Sequence, residues 1–172
     1  MPNLLTCVLL FLSSYFPLAL IFFVLFVGKQ TAPAVGIFTV ATLGLIGMWL
    51  YLRVAQQIAP MQVTVAQIQR RDGEAMSYLV TYLVPFLAAP FNGLEQGVAL
   101  FIFFLVLGIL YVNSHMMHIN PMLNLDGYHV YEITSEHGTI YSLITRRRVR
   151  SGEKLSVIKM GEDILLEKVE KP

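Results

Sequence analysis

The chain has 172 residues, of which 56% are hydrophobic and only 13% charged, and its formal net charge is +1. A soluble globular protein carries about 25% charged residues, so the composition argues against a uniformly water-exposed domain, and the near-neutral total selects neither an acidic nor a basic partner. Cys7 is the only cysteine, which excludes an internal disulfide and a cysteine metal cluster.

The charge deficit is concentrated in four runs. Leu4 to Val27 carries no Asp, Glu, Lys or Arg, and neither do Gln30 to Leu52, Ala75 to Leu94 or Gln96 to Leu125; the last run holds His115 and His118. As a helix, Leu4–Val27 is about 36 Å long, enough for a ~30 Å hydrocarbon core. It is too long for a signal-peptide core and lacks a basic start. Leu5-Thr6-Cys7 has the letters of a lipoprotein cleavage box, but no apolar stretch precedes it. Ala34–Leu52 is the second expected span, closed by Trp49 and Tyr51 beside Arg53, an aromatic anchor at the membrane interface. Ala75–Phe91 is the third and Gly97–Val112 the fourth. The short gaps at 28–33 and 92–96 predict two antiparallel hairpins.

Two spans hold an internal proline. Pro17 and Pro85 cannot donate to the carbonyls of Ser13 and Thr81, so a helix kink is expected at each. The second span carries Gly36, Ala41, Gly44 and Gly47, small residues that let helices approach closely. That contact is either within the chain or between subunits; so small a bundle has little interior, which favours a homo-oligomer.

Of the twelve Lys and Arg residues, only Lys29 falls outside the 53–74 connection and the segment after Tyr141. Four spans therefore place eleven of the twelve on one face, which the positive-inside rule makes cytoplasmic, with both termini inside. Three spans would divide the Arg residues between both faces.

The water-facing parts read as β. Gln62–Ile68 alternates polar and apolar residues and is rich in β-branched ones, the pattern of a short strand. After Asn120-Pro121 and the Asp126-Gly127 turn, strands are predicted over Tyr128–Thr134, over Thr139–Thr145, and from Leu155 to about Val169 with a break at Gly161-Glu162-Asp163. The expected fold is thus a membrane α-helical bundle of about four transmembrane helices over residues 1–119, with a small cytoplasmic all-β domain over 120–172. About 50 residues of meander are marginal alone, and pairing with Val63–Ile68 or with a neighbouring subunit would support them.

No catalytic constellation, P-loop, dinucleotide fingerprint or H-E-x-x-H motif is present, and no cofactor or metal is expected. His115 and His118 share a helical face, but no Cys, Asp or Glu is near them in sequence; histidines at the end of a span are the plainer reading. The spans hold no Asp, Glu, Lys or Arg at depth, which removes the usual sign of a pump or coupled carrier. The densest charge is Arg146, Arg147, Arg148 and Arg150. As a tethered cytoplasmic loop it fits membrane lipid headgroups or an acidic patch on a partner; a solvated topology signal is the alternative. Without interleaved aromatics, direct nucleic-acid binding is not expected.

Several segments, in this order, resemble the KwaA family, the membrane subunits of the bacterial Kiwa anti-phage defence system. They are Ser77-Tyr78-Leu79-Val80-Thr81-Tyr82-Leu83-Val84-Pro85-Phe86, Asn120-Pro121-Met122-Leu123, Gly127-Tyr128-His129-Val130-Tyr131-Glu132, Arg150-Ser151-Gly152-Glu153 and Gly161-Glu162-Asp163-Ile164-Leu165-Leu166-Glu167. The resemblance implies a non-enzymatic membrane sensor or scaffold that oligomerises and holds a soluble, KwaB-like effector at the inner membrane. The rival expectation from another class is a small oligomeric channel or transporter subunit.

Overall fold

The computed structural model describes residues 4–28, 31–73, 77, 80–81, 94–113, 119–161 and 163–168. The predicted third span and its Pro85 kink, with His115 and His118, lie outside the described residues, apart from isolated positions of that span.

The first apolar run forms two helices rather than one. α1 covers Leu4–Ser14 and α2 covers Phe16–Phe26, and their axes bend by 52° at the break. The residues explain it. Pro17 sits in the first turn of α2, where a missing N–H has no helical partner to lose. On the other side, the hydroxyls of Ser13 and Ser14 donate back to the carbonyls of Leu10 and Phe11, each at 2.7 Å, a bond that bends helices. α3, Thr31–Ala55, is about 37 Å long and packs along both α1 and α2. α4, Leu94–Asn113, lies against α1 through the ring contact of Phe11 with Tyr111 at 5.4 Å, and against the break through that of Tyr15 with Phe104 at 5.0 Å. α3 and α4 are each long and apolar enough to cross a membrane, and the bent α1–α2 pair makes a third such span if counted as one.

β1, Met61–Arg70, is longer than the run predicted for it. α5, Pro121–Leu125, is one short turn of helix that the sequence reading did not anticipate. β2, His129–Ser135, and β3, Ile140–Thr145, form a hairpin; β4, Lys154–Lys159, and β5, Ile164–Glu167, complete the set. The five strands close into a barrel in the order β1-β2-β3-β5-β4, antiparallel except for the β3–β5 pair. The all-β unit therefore does not begin at residue 120. β1 pairs with both β2 and β4, so the barrel would be open without the 61–70 segment.

Alternation places Val63, Val65, Ile133, Leu143, Leu155 and Val157 inside the barrel. β5 breaks the alternation because both its faces are covered. Leu165 points into the barrel, whereas Ile164 and Leu166 join Ile144 against Leu10, Met48, Leu52 and Tyr111 of the helices. An apolar cluster distinct from the barrel interior thus joins the outer face of β3 and β5 to the bundle. Polar ties reinforce it: Tyr51 Oη donates to the Met160 carbonyl at 3.4 Å, and Gln56 Nε2 to that of Glu167 at 3.1 Å.

Candidate partner-docking surface on the barrel

The basic run lies on the connection between β3 and β4. This connection turns through Gly152, whose φ of +83° is a left-handed conformation that favours glycine. Gly152 N–H donates to the Val65 carbonyl at 2.7 Å, and Ser151 Oγ donates to that of Ala66, which clips the loop to β1. Val149 turns inward to the barrel core and leaves the flanking arginines outside.

The four arginines do not form one free patch. Arg146 faces the helices: it pairs with Asp126 at 2.7 Å and lies over the Tyr128 ring, 4.4 Å from its centroid. Arg147 is committed to the fold. It pairs with Glu153 and with Glu167, the latter at 2.6 Å, so one guanidinium fastens the loop to β5. This bond from Arg147 is the main reason the Glu153 carboxyl is held below its ordinary range, and the Arg150 backbone N–H adds to it. Arg148 and Arg150 are exposed, with no carboxylate in ion-pair range among the described residues. The four arginines thus differ in commitment: Arg147 is held between Glu153 and Glu167, Arg146 shares a half-exposed guanidinium with Asp126, and Arg148 and Arg150 have no ion pair among the described residues.

The glycines of α3 also divide. A Cβ on Gly44 would meet Leu12 Cβ at 2.6 Å and the Ser13 backbone nitrogen at 2.9 Å; one on Gly47 would meet the Leu9 side chain at 2.9 Å. Among the described residues nothing lies within 4 Å of such an atom on Gly36. The small-residue face from Gly44 to Gly47 is therefore filled by Leu9, Leu12 and Ser13 of the chain's own α1 and gives no support to an oligomer contact there.

Two polar centres escaped the sequence reading. Asn120 is 1% exposed. Its Nδ2 donates to Ser13 Oγ at 2.7 Å and the Leu10 carbonyl at 3.2 Å, while its Oδ1 accepts from Met122 N and caps α5. The Asn-Pro pair was the available signal, a cap followed by proline at the first helical position. Asp72, just after β1, accepts from Val130 N at 2.7 Å and from Arg70 Nε at 2.6 Å, and lies 3.0 Å from His129 Nδ1. Partial burial pushes its carboxyl up, but these three bonds together outweigh that, and the net direction is down.

Comparison with known proteins bears on the whole chain. A family profile described as "Anti-phage protein KwaA" matches residues 7–166. "Kiwa protein KwaA" of Escherichia coli O55:H7 (strain RM12579 / EPEC) is 26% identical over 103 residues, covering 60% of this chain. The match takes in 47% of that relative, so the chain spans about half the length of the curated protein it resembles. No solved structure matches. With helices and barrel both inside the matched region, the chain belongs to the KwaA family of anti-phage proteins.

Proposed function

We propose that this chain is a non-enzymatic membrane sensor and scaffold of an anti-phage defence complex, which oligomerises and holds a soluble cytoplasmic effector of the KwaB-like kind at the inner membrane. The closed barrel carries the reading. β1 precedes α4 and β2–β5 follow it, yet all five strands share one hydrogen-bonded cylinder. A bilayer cannot divide that cylinder, so both flanks of α4 return to one face. A crossing by α4 then requires another between Arg71 and Leu94, which supports a four-span layout. The Lys and Arg bias makes the barrel face cytoplasmic.

On that face Arg148 and Arg150 offer two exposed guanidiniums with no ion pair among the described residues, whose planar forks match carboxylates. The partner surface this fits is acidic, and nucleic acid has no part in the reading.

Co-purification of the tagged full chain with the soluble partner from native membranes tests the proposal. The double substitution Arg148→Gln, Arg150→Gln is expected to leave insertion and oligomer size unchanged while reducing capture, and capture by the natural chain should fall with rising salt. Arg147→Gln separates folding from docking, because it loosens the loop through Glu153 and Glu167. Full capture by the correctly inserted double variant would refute the docking assignment.

A further inference from the structure

An open groove of about 500 Å³ runs between the outer face of α3 and α5. Its apolar part is formed by Leu45, Ile46, Leu50, Met122 and Leu125. Leu125 is 72% exposed although it belongs to a helix of only five residues. A second cavity of about 210 Å³ continues from it and is lined by Arg53, Gln56, Tyr128 and Arg146; Trp49, Arg53 and Asp126 border both. The groove is therefore greasy at one end and cationic at the other.

The cationic end is built on aromatic rings. Arg53 lies 4.6 Å from the Trp49 ring centroid and Arg146 lies 4.4 Å from that of Tyr128. Arg146 spends part of its hydrogen-bonding capacity on Asp126 and keeps a half-exposed side chain. Arg53 has no carboxylate in ion-pair range among the described residues. Two arginines against one aspartate leave the polar end with a net positive charge.

We infer that this groove binds one anionic phospholipid of the cytoplasmic leaflet, its phosphate held between Arg53 and Arg146 and one acyl chain lying along α3 beside Leu50 and Leu125. The inference rests on the reading that α3 crosses the membrane. Given that reading, the span ends at Trp49 and Arg53, where an aromatic ring and a cation mark the headgroup level. The apolar part of the groove then lies at acyl depth and the Arg pair at phosphate depth, the order in which a phospholipid presents its own parts. Guanidinium suits phosphate through paired N–H donors, and the groove's volume is within the range of small-molecule sites. An acidic protein segment would satisfy the arginines but would leave the Leu45–Leu125 end without an apolar occupant.

Trp49, the only tryptophan, reports directly on the site. The full chain is placed in vesicles of phosphatidylcholine with a minor fraction of brominated lipid, either brominated phosphatidylglycerol or brominated phosphatidylcholine, and Trp49 fluorescence is measured. The expected result is a preference of about fivefold for the anionic lipid per arginine that touches the headgroup, retained when inorganic phosphate is added. Arg53→Gln is the first variant, since Arg53 holds no ion pair among the described residues; it should lower the preference, as should Arg146→Gln, while Arg148→Gln should not. Equal quenching by the two lipids in the natural chain, an unchanged preference in Arg53→Gln, or displacement by free phosphate would overturn the site and leave the membrane reading standing. No quenching by either lipid would overturn both.

Discussion

Asn120 reaches from the start of α5 into the bundle and donates to Ser13 Oγ at 2.7 Å, beside the break between α1 and α2. Ser13 Oγ in turn donates to the Leu10 carbonyl. The approach to the barrel is thus bonded to the bend in the first helix pair, inside an apolar core where an unmet donor or acceptor is costly.

Asn120→Leu removes those donors and the cap on α5 together. The expected loss is about 2–4 kcal/mol, from a buried hydrogen-bond group and an N-cap, read as a lower melting temperature of the purified chain in detergent. Asn120→Asp keeps the cap acceptor but not the donors and should recover only a minor part. A melting temperature equal to that of the natural chain in Asn120→Leu would show that the bond to Ser13 contributes nothing net.

The glycines of α3 give a paired comparison. Gly44→Ala drives a methyl into Leu12 Cβ and the Ser13 backbone, neither of which is the far end of a flexible side chain. It should destabilise by about 1–3 kcal/mol, the usual cost of overpacking. Gly36→Ala meets no atom of the described residues and should cost nothing. Thermal unfolding of both variants in the same detergent checks this, and equal melting temperatures would contradict the close approach of α1 to Gly44.

Much of this architecture can be read from residues, and the exceptions have physical causes. The strands are legible because β-branched alternation and the Gly138 and Gly152 turns are local signals, and Gly138, like Gly152, has a positive φ of +79°. Pairing of the C-terminal strands with Val63–Ile68 was one of two supports the sequence offered, and it is the one the structure shows; closure itself is not a local signal, because the pairing of Val63 with Leu155 joins segments on either side of α4. In the first apolar run the bend was marked by Pro17, but its size depends on Ser13 and Ser14 turning their hydroxyls inward. The Arg run was conspicuous in sequence, whereas the division of its labour was not. Only folding brings Asp126, Glu153 and Glu167 next to Arg146 and Arg147.

Acid should weaken the barrel in a defined window. Asp72 and Glu153 both have carboxyls held below their ordinary values in the folded chain. A lowered folded value means that the charged form stabilises the fold. That contribution is complete above the unfolded value of about 4 and is lost as pH falls through the lower folded value. Asp72→Asn and Glu153→Gln should each flatten the fall in melting temperature between about pH 5 and pH 2. Both sites are partly exposed, so added salt should reduce the effect. An acid transition unaltered in both variants would assign it to other carboxylates.

Topology follows from barrel closure together with the charge bias. Glu136, in the β2–β3 hairpin, belongs to the cytoplasmic face in the proposed layout, and Glu95, in the first turn of α4, belongs to the far side. Cysteine probes on a Cys7→Ser background separate the two. In spheroplasts, a membrane-impermeant maleimide should label Glu95→Cys and spare Glu136→Cys until the membrane is permeabilised. The pair is informative because the barrel fixes parity. If β1 and β2 share a face and α4 crosses once, the segment between Arg71 and Leu94 must supply the return. Labelling of both sites from outside would mean that α4 does not cross, whereas the reversed pattern would place the barrel, Arg148 and Arg150 outside the cell and remove them from any cytoplasmic partner.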